Sequence, residues 1–456
     1  MPTSHRPLVA LALAATMSVL CPPGAEAQRR VVNTGDAPWP DAMVGPAVPY
    51  ERARPGATVG VLRSARAPVA VHLLPGVSSE TAERVLRLAE RLLDRAAFSL
   101  HLEAPAPDGA LGGGPEFDLY LRPDPGGTEV FVGPCELSAL WDRAPAWALV
   151  STAPGPVSLE AQVADAVARA VIASHNADHT PSLVDALAST VARQLTLAPP
   201  RYEDVLDFTS HPERSMVTGG HRGRGENRGA SLFFDALLRR HDDARHTLLG
   251  GLLSGTAQKT PATATTLFDE PDTFDLLQRV FRDEPGGFAE AMLNFGAGLR
   301  TVGTAADPED LAGVRSAGLA APPTQRLGWA SLPSWSPLGV IENTGVARLS
   351  LDLSEAPNAV DGALTVAVWV HLAPWYRWQV ALDRTDGQGR TIGSVRSPVI
   401  TDGQFSTELT GLERARTLEI TVINLGALDF DPDVPVPARG FGAVHLARSG
   451  EGPMVR

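Results

Sequence analysis

Apolar residues recur along the chain with two different periods, and the change between them divides it. Val69 to Leu73 is a short apolar run closed by Pro75-Gly76. From Ser79 to Ala97 the residues Ala82, Val85, Leu86, Ala89, Leu92, Leu93 and Ala96 repeat at helical spacing, with Glu80 and Glu83 in the first turn where the helix dipole favours acids. Phe117 to Leu121, Glu129 to Val132 and Trp147 to Ser151 read as strands between Gly/Pro-rich turns. Leu159 to Ser174 is apolar on nearly every face, which predicts a helix inside a core. Further helices are predicted over Leu183 to Leu195, Ala230 to Arg240, Arg245 to Leu253 and Thr273 to Arg300.

Beyond Ala321-Pro322-Pro323-Thr324 the period falls to two. Leu349, Leu351 and Leu353 alternate with polar neighbours, as do Leu364, Val366, Val368 and Val370, then Trp378, Val380 and Leu382, then Leu418, Ile420 and Val422. Asp386-Gly387-Gln388-Gly389 is a hairpin turn between two such runs. The fold class expected is α+β: a domain of small sheet plus helical lobe over 69–325, then an all-β sandwich over 338–448. No internal repeat is found.

The N-terminus changes the expected location. A basic n-region ending in Arg6, an apolar run from Leu8 to Leu20, and Ala25-Glu26-Ala27 have the order of a secretory signal peptide over 1–27. The protein is therefore expected to be secreted or periplasmic. Cys21 raises lipid modification as the alternative, against which Leu20 stands where a small residue is wanted. Residues 28–68 read as an extended lead-in rich in Pro and Gly. After cleavage Cys135 is the one cysteine left, so no intramolecular disulfide can form.

Composition narrows the partners. The formal charge is −13, and Lys259 is the only lysine, which argues against nucleic acid or an anionic membrane. No run of about 18 apolar residues predicts a membrane span. What remains is a protein, a peptide or a cell-envelope ligand.

The order of elements resembles secreted bacterial zinc metallopeptidases of the gluzincin type. Ser231-Leu232-Phe233-Phe234-Asp235-Ala236-Leu237 and Val422-Ile423-Asn424-Leu425-Gly426 are similar to phrases of that family. The resemblance implies an HExxH motif on the buried helix, two His one turn apart on Zn²⁺ with the Glu as general base, and a third carboxylate on the next helix. Here Asp165-Ala166-Val167-Ala168-Arg169 falls where HExxH should be, with Asp185 at the distance of the third ligand. Both His are missing, Ala166 cannot accept a proton, and Arg169 brings a permanent positive charge. The expectation is a member that has lost zinc, with no catalytic residue and no cofactor, acting by binding. An ordinary buried helix with one i,i+4 ion pair is the plainer reading. Either way Arg169 is expected within reach of Asp165 or Asp185.

Other constellations along the chain carry weaker signals. His175-Asn176-Ala177-Asp178-His179 has the histidine spacing of HExxH without its Glu, and Pro181 places the pair across a helix end. It supports the alternative of an active zinc hydrolase, with Asp185 as a further ligand; a purely structural surface protein is the third reading. Asp429, Asp431 and Asp433 open like a calcium loop but lack its Gly and Glu, which favours a solvated acidic turn. The Gly-rich basic stretch 219–229 matches no phosphate loop and reads as a surface loop. Gly251-Leu252-Leu253-Ser254-Gly255 is no nucleophile elbow. Trp375, Tyr376 and Trp378 read as core and rim packing rather than a sugar platform, since Trp378 is on the inward register.

Overall fold

The strand Val69–Leu73 is buried at every position, as a strand covered on both faces must be. It is β2 of the first sheet, with β1 (Gly60–Arg63), β3 (Phe117–Arg122), β4 (Thr128–Val132) and β5 (Ala146–Ser151). In this computed structural model, residues 53–133, 143–177, 179–198, 202–216, 224–241, 247–257, 273–302, 325–357, 364–427 and 440–451 are described. The spatial order is β1-β2-β3-β5-β4; β2, β3 and β5 are parallel, and β1 and β4 are antiparallel edges. Strand β1 falls inside what the sequence presented as an extended lead-in, because four residues between Gly and Ser-rich turns show no period of their own.

Helix α1 (Ser79–Ser99) crosses from β2 to β3, its start fixed by Ser78, whose hydroxyl accepts from the Thr81 amide at 3.2 Å. Helix α2 (Leu159–His175) is capped by Ser158 in the same way and is buried almost all round. Helix α3 (Pro181–Thr196) begins with Thr180 as cap and Pro181 at its first position, where the missing N–H costs nothing. Then come α4 (Tyr202–Ser210), α5 (Arg224–Gly229), α6 (Ser231–His241), α7 (Thr247–Thr256), α8 (Thr273–Val280) and α9 (Gly287–Gly298). The helical stretch predicted over 273–300 is divided into α8 and α9: Pro285 precedes Gly286 and Gly287, whose φ values of 77° and 60° turn the chain out of right-handed helix.

The C-terminal part packs two sheets, β11-β10-β13-β8-β6 and β12-β9-β14-β7. Its strands are β6 (Gln325–Gly328), β7 (Ser334–Ile341), β8 (Val346–Asp352), β9 (Val366–Leu372), β10 (Tyr376–Thr385), β11 (Thr391–Arg396), β12 (Gln404–Leu409), β13 (Thr417–Ala427) and β14 (Gly440–Arg448). The sandwich thus starts at Gln325, ahead of the expected 338. Strand β6 is too short to show a period, and Pro337 with a register shift beside it breaks the alternation of β7, an edge strand where such a residue is tolerated. The Pro-rich stretch 321–324 lies outside the described residues, as do the signal segment, Cys135 and Asp429 to Asp433.

The two halves share apolar packing. Val346, Ala381, Ile423 and Leu425, on the outer face of the five-stranded sandwich sheet, belong to the core of the helical half. Gly296 of α9 lies so near Val346 that a Cβ there would be 3.1 Å from its methyl carbon. The backbone amides of Glu342 and Val346 donate to the carbonyls of Glu213 and Pro212 at 2.8 and 2.7 Å. Among the described residues no helix is long and apolar enough to cross a membrane.

Candidate functional site

The i,i+4 spacing of Asp165 and Arg169 places both on one face of α2, and the short turn into α3 brings Asp185 opposite them. Arg169 donates from Nε to Asp165 at 3.2 Å and from Nη2 to Asp185. The second carboxylate oxygen of Asp185 accepts from the Asn227 amide at 3.2 Å, and Asp165 also accepts from Arg228 at 3.3 Å. Arg169 is 6% exposed. Burial alone pushes its pKa down, but the fields of Asp165 and then Asp185 outweigh it, and the net shift is upward. The ion pair read from the spacing is therefore present, with both carboxylates rather than one.

Ala166 is fully buried among apolar neighbours and carries no group that titrates. A divalent cation would have to share this point with a guanidinium that two carboxylates already hold, so Asp165, Ala166, Arg169 and Asp185 do not fit a zinc ion. Asn227 and Arg228 were missed as members of the network. They lie in the part of the Gly-rich stretch that forms α5, which corrects the expectation of a loop for 224–229. Residues 219–223 lie outside the described residues.

His175 and His179 do not join this cluster. His175 ends α2, His179 precedes the cap of α3, and a helix end separates them as Pro181 led one to expect. His175 Nε2 accepts from the Glu103 amide at 3.3 Å, and His179 Nε2 lies 3.5 Å from the Thr273 hydroxyl. Burial pushes the His175 pKa down to about 4. Among the described residues no three or more His, Cys, Asp or Glu side chains are grouped so as to hold a metal.

A pocket of about 220 Å³ opens beside Asp165 and Arg228, between α2, α3, the start of α4 and the Gly126-Gly127-Thr128 approach to β4. Gln162 is 5% exposed; its amide nitrogen donates to the Val157 carbonyl at 3.2 Å, while its buried Oε1 has no hydrogen-bond partner. Arg193 in the opposite wall is bound to Asp235 and to the Ser231 hydroxyl. Next to the pocket, β4 pairs with β5 along one edge, and no described strand pairs with its other edge.

A second polar cluster escaped the sequence reading. Asp118 of β3, fully buried, accepts from Arg54 and lies 2.7 Å from His72 Nε2. A charged residue within Phe117-Asp118-Leu119-Tyr120-Leu121 was the available signal. In the sandwich, Trp378 is fully buried and donates to the Ala373 carbonyl at 2.8 Å, so it packs rather than binds.

No known family model matches the chain, and no curated protein is significantly similar to it. Solved structures similar to part of it are β-rich. A pre-peptidase C-terminal domain of collagenase from Bacillus anthracis is 10% identical over 27% of this chain and 94% of its own, with a TM-score of 0.18. CsCBM6-3 from Clostridium stercorarium, in complex with cellobiose, is 14% identical over 28% of this chain and 98% of its own, TM-score 0.15. TmCBM61, in complex with β-1,4-galactotriose, is 19% identical over 23% of this chain and 61% of its own, also with a TM-score of 0.15.

Proposed function

We propose that this is an exported binding protein whose helical half has a metallopeptidase-like frame without zinc chemistry, and that it holds an extended peptide or cell-envelope component along β4 and the adjoining pocket. The observation that carries this reading is Arg169, clamped between Asp165 and Asp185 where the resemblance would put a metal. Both carboxylates are committed to guanidinium and amide donors, which leaves neither as a ready base for water. The edge of β4 along which no described strand pairs supports the choice of ligand, because an extended chain can add to a sheet edge through main-chain hydrogen bonds and send a side chain into a neighbouring pocket.

The test uses the full chain and a pool of fluorescent extended peptides, followed by anisotropy and by mass spectrometry for cleavage. Saturable binding without cleavage is expected, and Ala192→Trp, which fills the pocket, should abolish it. Zinc-dependent cleavage would overturn the reading, and so would the absence of saturable binding by the wild-type chain.

A further inference from the structure

The two outer faces of the sandwich differ in a way their shared core does not require. On the five-stranded sheet the outer face is accounted for: part is buried against the helical half, and the remainder carries pairs such as Arg396 with Asp383 and Ser350 with Glu419. The outward face of the other sheet should by the same logic be polar. On β9, β14 and β7 it is not. Apart from Arg448 at the end of β14, which pairs with Glu451, none of the residues of these three strands is charged.

Aromatic rings take those positions. Register places Trp369, His445 and Trp335 in one row across the three strands, with ring centroids 5.0 Å apart for the first pair and 6.1 Å for the second. In the next row His371 faces Ala443. Trp335 and His371 are on strands either side of β14, about 9.6 Å apart by ordinary strand spacing, yet their ring centroids are 5.2 Å apart. The small Ala443 side chain between them lets the indole lean across β14 instead of standing upright. The three ring pairs are tilted by only 28° to 35°, which makes a low, near-parallel group rather than an edge-to-face packing. Phe441, 63% exposed, continues the face along β14.

Beneath the indoles His445 has no accessible surface, and neither ring nitrogen has a hydrogen-bond partner. Burial, and then the neighbouring His371, hold its pKa below the ordinary histidine value, so the ring is neutral and offers one donor and one acceptor. On the flank, β12 sets Gln404 opposite His371 and Ser406 opposite Trp369, both uncharged and able to donate and accept, while Glu408, opposite Ala367 at the far end of the strand, accepts from the Ser449 hydroxyl.

From this arrangement we propose that the outer face of β12-β9-β14-β7 binds a neutral saccharide, with Trp335 and Trp369 stacked on the C–H faces of pyranose rings and His371, Gln404 and Ser406 hydrogen-bonded to hydroxyls. Flat indoles suit a ring that is apolar on its faces and polar around its rim. The lack of charge on the three strands disfavours an anionic polymer or headgroup, and the hydroxyl- and amide-bearing rim of Gln404 and Ser406 beside the indoles suits a ligand with many hydroxyls.

The experiment is native electrophoresis of the full chain in gels cast with neutral galactan, xylan or β-glucan, beside a gel without polysaccharide. Retardation by at least one of the three is expected. Trp369→Ala should weaken it by about tenfold or more, the loss of one stacked ring. Ser406→Arg, a surface change that leaves the core untouched, should weaken it too, which covers the case in which the tryptophan variant fails to fold. No retardation in any gel overturns the proposal, as does retardation that both variants retain. Dimerisation in sedimentation that Phe441→Ala abolishes, or flotation with phosphatidylcholine vesicles, would give the face to a second copy or to a membrane and overturn it equally.

Discussion

Arg169 reaches across the turn between α2 and α3 to the Asp185 carboxylate, and the same guanidinium holds Asp165 one helical turn before it. A charge buried this deeply is tolerable only with its partners, and the partners are buried with it.

Arg169→Ala should therefore destabilise the fold by about 3–5 kcal/mol, since it leaves two carboxylates short of a donor. Arg169→Met together with Asp165→Leu, Asp185→Leu and Arg228→Met should cost much less, because an apolar replacement of the whole charged cluster strands no charge. Urea denaturation of both variants checks this, and equal losses would count against the network.

Stability should fall in mild acid. His175 has a folded-state pKa of about 4, below its unfolded value, so the unfolded chain binds protons more readily. Its contribution is complete above about pH 6.5 and is lost as the pH falls towards 4, by at most about 3 kcal/mol. His175→Gln should flatten that part of the pH–stability curve, and an unchanged slope in the variant would show that His175 is not the source.

The joint between the halves can be broken at a glycine. A Cβ on Gly345 would collide with the backbone carbonyl of Glu213, and backbone cannot swing aside as a side chain can. Gly345→Ala should cost about 1–3 kcal/mol. Hydrogen exchange should quicken at the Val346 amide, which donates to Pro212, before it does in the centre of β13.

Trp378→Ala should cost about 3–5 kcal/mol, the usual loss for a fully buried aromatic ring. Trp378→Phe should cost less, and what it does cost includes the unpaired Ala373 carbonyl. Thermal melts of the two variants rank them.

Helix α1 with its acidic first turn, the buried helix α2 and most sandwich strands were legible in the sequence because each rests on the period of its apolar residues. The Asp165–Arg169 pair was legible from its i,i+4 spacing. Asn227 and Arg228 were not, since they reach the cluster only after α5 folds back onto the α2–α3 hairpin, and a Gly-rich run gives no period from which to infer that. Strands β1 and β6 are four residues each, too short to carry alternation, and they are held by pairing to β2 and β8. Trp335, Trp369 and His445 come from three separate strands, and only the register aligns them.

The burial of Val346, Ala381, Ile423 and Leu425 against the helical half gives the sandwich a back and a front. The backing sheet is fixed, so the aromatic front must look away from α9, separated from it by the thickness of the sandwich, about 10 Å from sheet to sheet. A ligand bound to the helical half and one on the front would therefore not meet through the sandwich. Two occupants would instead be held at a set separation and orientation, as by a bracket fixed between two walls.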